Sequence, residues 1–486
     1  MYCVLLRILL RHSEDFHFHG LRVERDLPNL AATMSSSVTK KLFIMMVLEF
    51  FIWGAWLPKI FGYLPAVGFS GNQQLAILLA FPVAAIIGMF FSNQYADRSF
   101  AAEKFLAFSH LVGGVAMLGL GFVDIRALGV DVAFWWFFGL MVIHCLLYVP
   151  TMSITNSIAF AHIKDPVKEF GIVRMGGTIG WILAAWPFIF LLVDWDSVSR
   201  AIQTAATEGK AVGWIGWLGT VFANPLSGEK LIIGTRWTYL VAGIASLLLA
   251  GFSLTLPSTP PRKAAAGEAH AWARAFGLLK HPAILVLWVV TFIDAFVHNT
   301  YFFHTETFLA SSAVKIPSNW TQAVMSIGQV AEILTMFVLG ATLRKLGWKA
   351  TMIVGIFGHA LRFLVYSYLP EHQGLIVLVQ IVHGICYAFY FATVYIYVEE
   401  YCPHDLRTSA QGLFNLMIFG LGDIAAKIFW IYWGNAQYTR QDGSMNWEGL
   451  FLVPAGLAIL GIVTLIMFFK PSSKYPTSAP SGGAPH

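Results

Sequence analysis

The sequence predicts an all-α polytopic membrane protein with about twelve transmembrane helices in two six-helix halves. Three observations carry that prediction. Of 486 residues, 57% are hydrophobic and only 12% charged, with 40 Phe and 17 Trp, which is too apolar for a soluble domain. The apolar residues come in runs of about 20, the length that a helix rising about 1.5 Å per residue needs to cross about 30 Å of hydrocarbon. Short basic turns stand at matching places, "NQYADRSFAAEK" after the second run and "GATLRKLGWKA" after the eighth, as a duplicated six-span unit would leave them.

Taken in order, spans at 42–63, 73–95, 103–123, 131–161, 170–193 and 236–256 precede the hydrophilic stretch Pro257–Pro282. Spans at 282–309, 320–342, 349–369, 374–398, 407–433 and 448–469 follow it. The chain therefore divides into an N-terminal extension over 1–40, expected to be disordered, a first half over 41–256, a cytoplasmic linker over 257–281, a second half over 282–470 and a tail over 471–486. Arg7 interrupts the short apolar stretch of the extension, which has no small-residue cleavage site and makes a poor signal peptide; Met34 reads as a more natural start. His12, His17 and His19 lie there without a metal-binding framework, as a solvated tail.

The net charge of +5 does not point to a nucleic-acid partner, because Lys and Arg sit in short clusters between spans and form no basic stripe. Lys40, Lys41, Lys164, Arg262, Lys349 and Lys470 fall on one side with the other short-loop cations if both termini are cytoplasmic. Arg200, Lys210 and Lys230 are exceptions, on the long segment Asp194–Arg236, whose "GWIGWLG" at 213–219 reads as an amphipathic hairpin at the interface. Cys3, Cys145, Cys386 and Cys402 form no CxxC pair, so neither a disulfide framework nor a zinc site is indicated.

An ionisable group in hydrocarbon costs several kcal/mol unless it faces protein or water, which makes each a functional candidate. The candidates are Glu49, Arg174, Asp294, Glu306, Glu332, Arg362, Asp423 and Lys427. Glu332 lies midway along the eighth span with Gln329 one turn before it, so both point to one face that cannot be lipid-exposed. A pore-facing site is favoured over a packing pair, since packing rarely needs a carboxylate at that depth, and a carboxyl that can take up a proton suits a proton-coupled carrier. Arg174, Thr178 and Trp181 recur at helical spacing among glycines that permit close helix approach; a snorkelling arginine is the competing reading.

In the seventh span, "DAFVHNTYFFHTETFL" is too polar to hide from water unless it lines a cavity, although Asp294 or His298 could instead form an internal hydrogen-bond lock. Asp423 and Lys427, four residues apart, read first as a structural ion pair. Arg362 is expected to neutralise an intramembrane acid. The sequon at Asn319 is discounted as helix-start chemistry, with Ser318 or Asn319 capping the eighth span.

Two halves of six spans with a cytoplasmic linker and "ADR" after the second resemble the major facilitator fold. Within it the chain resembles the nucleoside:proton symporter family, similar to bacterial nucleoside permeases, from about Lys41 to Lys470. The resemblance rests on "FFIWGAWLPKIFGYL", "YVPTMSITNSIAF", "RMGGTIGW", "MSIGQVAE", "LRFLVYSY" and "HGICYAFYF" running to "RTSAQGLF", in that order. It implies nucleoside uptake by alternating access, driven by protons. It also implies polar ligands at Arg174, Thr178, Gln329 and Glu332, aromatic lining at Trp181 and Tyr387, and a looser match at Asn299 and Phe302. Ribose hydroxyls suit the amide and carboxylate, and a flat base suits the rings. The family's tenth span typically reads Tyr-Asp-Phe, whereas Tyr387-Ala388-Phe389 stands here. Either Glu332, Asp294 or Asp423 then carries the proton, or the protein is a uniporter, or its substrate differs.

The expected protein is a monomeric carrier in a bacterial inner membrane, not an enzyme, with nucleoside and protons as partners and neither cofactor nor metal. The alternatives are a carrier of sugars or another small polar solute, a membrane-embedded enzyme, disfavoured by the lack of a nucleophile or metal-ligand motif, and a nucleoside sensor, disfavoured by the lack of a fused signalling domain.

Overall fold

The computed structural model describes residues 37–88, 100–164, 166–210, 212–261, 276–402 and 407–471. The expected N-terminal extension up to residue 36, most of the linker and the tail from 472 lie outside the described residues, as does most of the turn "NQYADRSFAAEK". The first helix already includes Ser37–Lys40, so the extension ends earlier than expected. Among the described residues the chain is all-helical, with two isolated β-bridges as its only extended pairing. Apolar runs in hydrocarbon can satisfy every backbone N–H and C=O only as helices or closed barrels, and these runs take the helical solution.

Among the described residues ten helices are long and apolar enough to cross a membrane, and Gly71–Ile87 is a shorter apolar one. In chain order we label α1 Ser37–Ala66, α2 Gly71–Ile87, α3 Ala102–Phe122, α4 Val130–His162, α5 Pro166–Ala185 and α6 Trp237–Ser253. Beyond the linker come α7 Pro282–Ala310, α8 Thr321–Tyr368, α9 Gln373–Tyr401, α10 Ala410–Tyr438 and α11 Trp447–Phe468. The start of α2 is fixed by Ser70, whose hydroxyl accepts from Gln73 N while Gln73 Oε1 accepts from Ser70 N at 2.9 Å. Pro282 opens α7 where its missing N–H costs nothing.

The expected turn between the eighth and ninth spans is a one-residue break. α8 runs through it as two arms, 321–346 and 348–368, interrupted at Gly347, whose φ of 73° suits glycine. "GWIGWLG" is not a hairpin. It opens the helix Trp214–Ala223, which packs against the helix Trp195–Thr207 and leaves Trp214 73% exposed.

The helices before residue 261 pair α1 with α5, α2 with α4, and α3 with both α4 and α6. Those after 276 repeat the order: α7 pairs with α10, the first arm of α8 with α9, and its second arm with both α9 and α11. The two sets meet through α1 with α7, α2 with α10, and α5 with α8. That seam holds most of the residues singled out in the sequence.

Candidate functional site

α5 is pressed onto α1 by two glycines: a Cβ on Gly176 would stand 2.6 Å from Phe43 O, and one on Gly180 2.0 Å from Val47 O. Arg174, Thr178 and Trp181 recur at i, i+4 and i+7 along α5, each half-buried, with the guanidinium 4.3 Å over the Phe50 ring. Across the seam the first arm of α8 lies backbone-to-backbone on α9, since a Cβ on Gly384 would fall 2.1 Å from Glu332 N. This contact fixes Glu332 and Gln329. Glu332 is half-buried and close enough to Arg174 and Tyr387 for their charges to interact, while Gln329 is buried with Oε1 unpartnered among the described residues. α9 widens to π geometry over Tyr387–Ala392, a distortion that often marks functional positions.

Aromatic rings close one side of this space. Trp181 stands edge-on to Phe302 of α7 at 5.9 Å and to Trp53 of α1 at 5.1 Å. Trp53 stacks on Phe81 at 5.0 Å and 11°, and lies 6.3 Å from Phe419 of α10. Its indole Nε1 is buried with no partner among the described residues. Asn299 spends its Nδ2 on Ala295 O at 2.9 Å, leaving its Oδ1 to accept. The structure thus brings Arg174, Trp181, Phe302, Glu332 and Tyr387 into one neighbourhood, with Thr178 between Arg174 and Trp181 on its helix. Trp53 is a member that sequence reasoning missed, because a tryptophan in an apolar run looks like core. A group of aromatic rings, one carboxylate, one guanidinium and unpaired amide and indole groups suits a ligand with a flat ring and several hydroxyls.

The rest of the seventh span departs from expectation. Thr300, Tyr301, His304, Thr305 and Glu306 are buried between helices. Thr300 Oγ1 accepts from Trp430 Nε1 at 2.8 Å and Tyr301 donates to Gln380 Oε1 at 3.1 Å, so their polarity is absorbed by packing. Asp294 forms no internal lock, since neither of its oxygens has a hydrogen-bond partner among the described residues. Nor does Arg362 bond to an acid: it donates to His383 Nδ1 at 2.8 Å and His359 Nδ1 at 2.9 Å. Asp423 and Lys427 do pair, at 2.7 Å, and Lys427 also donates to Leu78 O on α2 at 3.0 Å. Glu49 is held by His110 at 2.9 Å and Thr151 at 2.8 Å.

The seam is bolted at the end away from the linker. Lys59, near the end of α1, reaches Glu306 Oε1 at 2.5 Å, Ser318 O at 2.7 Å and Thr321 Oγ1 at 3.0 Å. Ser318 and Asn319 cap nothing. Ser318 Oγ donates to Leu226 O at 2.8 Å and Asn319 Nδ2 to Ile189 O at 3.0 Å, tying the start of α8 to the other set of helices. Lys59 was a detectable miss: it is a cation inside the predicted first span. His110, His359 and His383 were missed because a neutral imidazole does not register in a count of charges.

Residues 36–204 and 200–474 match the model of the family described as nucleoside H+ symporter. The chain is 28% identical over 444 residues to the putative nucleoside transporter YegT of Escherichia coli (strain K12), covering 89% of this chain and 94% of that protein. It is also 28% identical over 459 residues to the xanthosine permease of Escherichia coli (strain K12), covering 89% and 96%. Its fold is similar to the crystal structure of the nucleoside transporter NupG, with a TM-score of 0.68 at 24% identity, covering 90% of this chain and 100% of that one.

Proposed function

The chain belongs to the nucleoside H+ symporter family, and from that premise we propose that it carries nucleosides together with protons across a membrane by alternating access. The observation that carries the reading is the juxtaposition of Arg174 and Glu332, within electrostatic reach of each other, beside the Trp53–Trp181–Phe302 aromatic wall at the seam of the two helix sets. Glu332 and Gln329 accept from and donate to the ribose hydroxyls, Arg174 and Thr178 face them, and Trp181 and Tyr387 pack on the base. Trp53 adds a ring and an N–H donor to that set. Phe302 supplies an edge to the base, and Asn299 its free Oδ1.

Counting the arms of α8 separately and adding α2 to the other long helices gives a twelve-helix bundle. It forms two six-helix halves, 41–256 and 282–470, with the 257–281 linker and both termini in the cytoplasm of a bacterial inner membrane. A monomer suffices, because the site is assembled from one chain. The Lys59–Glu306 bolt then closes the outer end. Family membership argues against the enzyme and sensor readings.

The test is ligand binding by purified protein, measured calorimetrically with uridine, adenosine and D-xylose. Replacing a carboxylate that accepts sugar hydroxyls removes a charge-assisted bond of about 1.5–3 kcal/mol, so Glu332→Gln should weaken nucleoside binding by about 10- to 150-fold. Equal affinity in that variant, or preference for xylose in the wild type, would overturn the assignment.

A further inference from the structure

We propose that the proton site of this chain is Asp294, working with His359 and Arg362 between α7 and the second arm of α8. The inference rests on the proton-coupled reading above and names the groups that handle the proton.

The buried acids among the described residues show what a settled carboxylate looks like here. Glu49 accepts from His110 and Thr151, Glu103 from Thr259 N at 2.8 Å, Glu306 from Lys59 and Thr321, and Asp423 from Lys427. Asp294 is only 1% exposed, and both of its oxygens lack a hydrogen-bond partner among the described residues. A carboxylate in that position would have no hydrogen-bond donor and only the Arg362 charge, one imidazole away, to offset its desolvation, whereas a carboxylic acid holding its proton carries no charge to desolvate. The geometry is that of the loaded site.

His359 Nε2 lies 3.8 Å from Asp294 Oδ2. Arg362 sets the tautomer of that ring. A guanidinium only donates, so the Nδ1 atoms it contacts on His359 and His383 are acceptors, and each neutral imidazole carries its proton on Nε2. His359 therefore offers an N–H on the side of Asp294. When the carboxyl O–H breaks and its proton passes to water admitted on the side of release, closing the gap by under about 1 Å makes that N–H a hydrogen-bond donor to the new carboxylate. The result is a guanidinium–imidazole–carboxylate chain in which the charge of Arg362 balances that of Asp294. Arg362 stays fixed throughout, fully buried and stacked 4.1 Å over the Tyr301 ring. Loading and unloading thus require α7 and the second arm of α8 to shift against each other, which ties the proton to helix movement.

His298, one turn after Asp294, stands between the central site and this cluster. Between ring centroids it lies 5.2 Å from Phe302 and 6.4 Å from Tyr387 on one side, and 5.8 Å from His359 and 5.2 Å from His383 on the other. Its Nδ1 is unpartnered among the described residues. Among the described residues the other elements packed on α7 hold their buried charges in pairs; on α1, Lys59 is bound to Glu306 and Glu49 to His110. On α9, Cys386 and Tyr390 face it, Tyr390 being engaged with Thr291 at 3.0 Å, and Ala388 offers no proton site. On α10, Asp423 and Lys427 neutralise one another. On α11 the ionisable residue is Glu448, in the first turn.

The test uses the full chain as wild type, Asp294→Asn and His359→Gln, reconstituted for flux and in detergent for infrared spectroscopy. Uridine counterflow, which needs no net proton movement, should stay within about threefold of wild type in Asp294→Asn, while gradient-driven accumulation falls to equilibration. His359→Gln should lose accumulation by about fivefold or more with counterflow intact. In a pH titration, the carboxyl C=O band of the wild type should lose a component in Asp294→Asn. Accumulation retained by Asp294→Asn, or an unchanged carboxyl band, would overturn the proposal. If wild-type protein showed no uridine counterflow, the nucleoside reading would fail on its own, and the infrared comparison would still decide whether Asp294 holds a proton.

Discussion

Removing the Glu306 charge should open the end of the seam away from the linker, and the structure sets the size of the effect. Glu306 and Lys59 are both buried, 2.5 Å apart, and sit on helices of opposite sets. Breaking a buried pair by removing one partner costs about 3–5 kcal/mol when the other charge is stranded. Lys59 is not stranded, because Ser318 O and Thr321 Oγ1 remain at 2.7 and 3.0 Å. The loss in Glu306→Gln is therefore nearer the worth of one charge-assisted hydrogen bond, about 1.5–3 kcal/mol. That bond is lost when this end of the seam parts, so the whole loss enters the equilibrium and shifts it by about 10- to 150-fold toward opening. Spin labels at Ala66→Cys and Ala310→Cys, on exposed positions at the ends of α1 and α7, report the separation by double electron–electron resonance. Wild-type protein should give a short-distance population, and Glu306→Gln and Lys59→Met a substantial longer one. Identical distance distributions in all three would refute the bolt.

Trp53→Phe keeps the ring but removes the unpartnered indole N–H; loss of one neutral hydrogen bond to ligand should weaken nucleoside binding by about 2- to 10-fold in a titration, and no change would remove Trp53 from the site. Gly180→Ala sets a Cβ 2.0 Å from Val47 O, backbone that cannot swing aside, so the protein should lose about 1–3 kcal/mol or more in thermal unfolding, whereas Gly139→Ala, with nothing within 4 Å, should not. In the segment between α5 and α6, the Lys230 ammonium 2.9 Å from Asp194 lowers that carboxyl from its ordinary 3.8 to about 2. The depressed value means the contact stabilises the loop fully above pH 3.8 and is lost as pH falls through about 2. Amide exchange at Trp195–Thr207 should therefore be flat from pH 7 to about 4 once the intrinsic rate is removed, and faster in Lys230→Met across that range.

The spans were legible because length and apolarity are local properties, and Glu332 because a single carboxylate at mid-span stands out against them. What the sequence hid was pairing. Lys59 and Glu306 are 247 residues apart, and nothing local to either names the other. Arg362 was expected to meet an acid because opposite charge is the obvious partner, but its hydrogen bonds go to imidazole nitrogens and its face to a tyrosine ring, with Nε unpartnered among the described residues and Asp294 one imidazole away. Ser318 and Asn319 look like a helix cap, yet spend their side chains on carbonyls of the other helix set, a tertiary choice that overrides local propensity. Gly347 breaks α8 where the basic turn suggested a loop, because one left-handed glycine is enough to end a helix.

The most direct measurement is uptake of labelled uridine and adenosine into proteoliposomes of the purified chain, with and without an inward proton gradient. Accumulation above the external concentration that requires the gradient and collapses with an uncoupler is the predicted result. Equilibration alone under both conditions would contradict proton coupling, and no flux of either nucleoside would contradict the account as a whole.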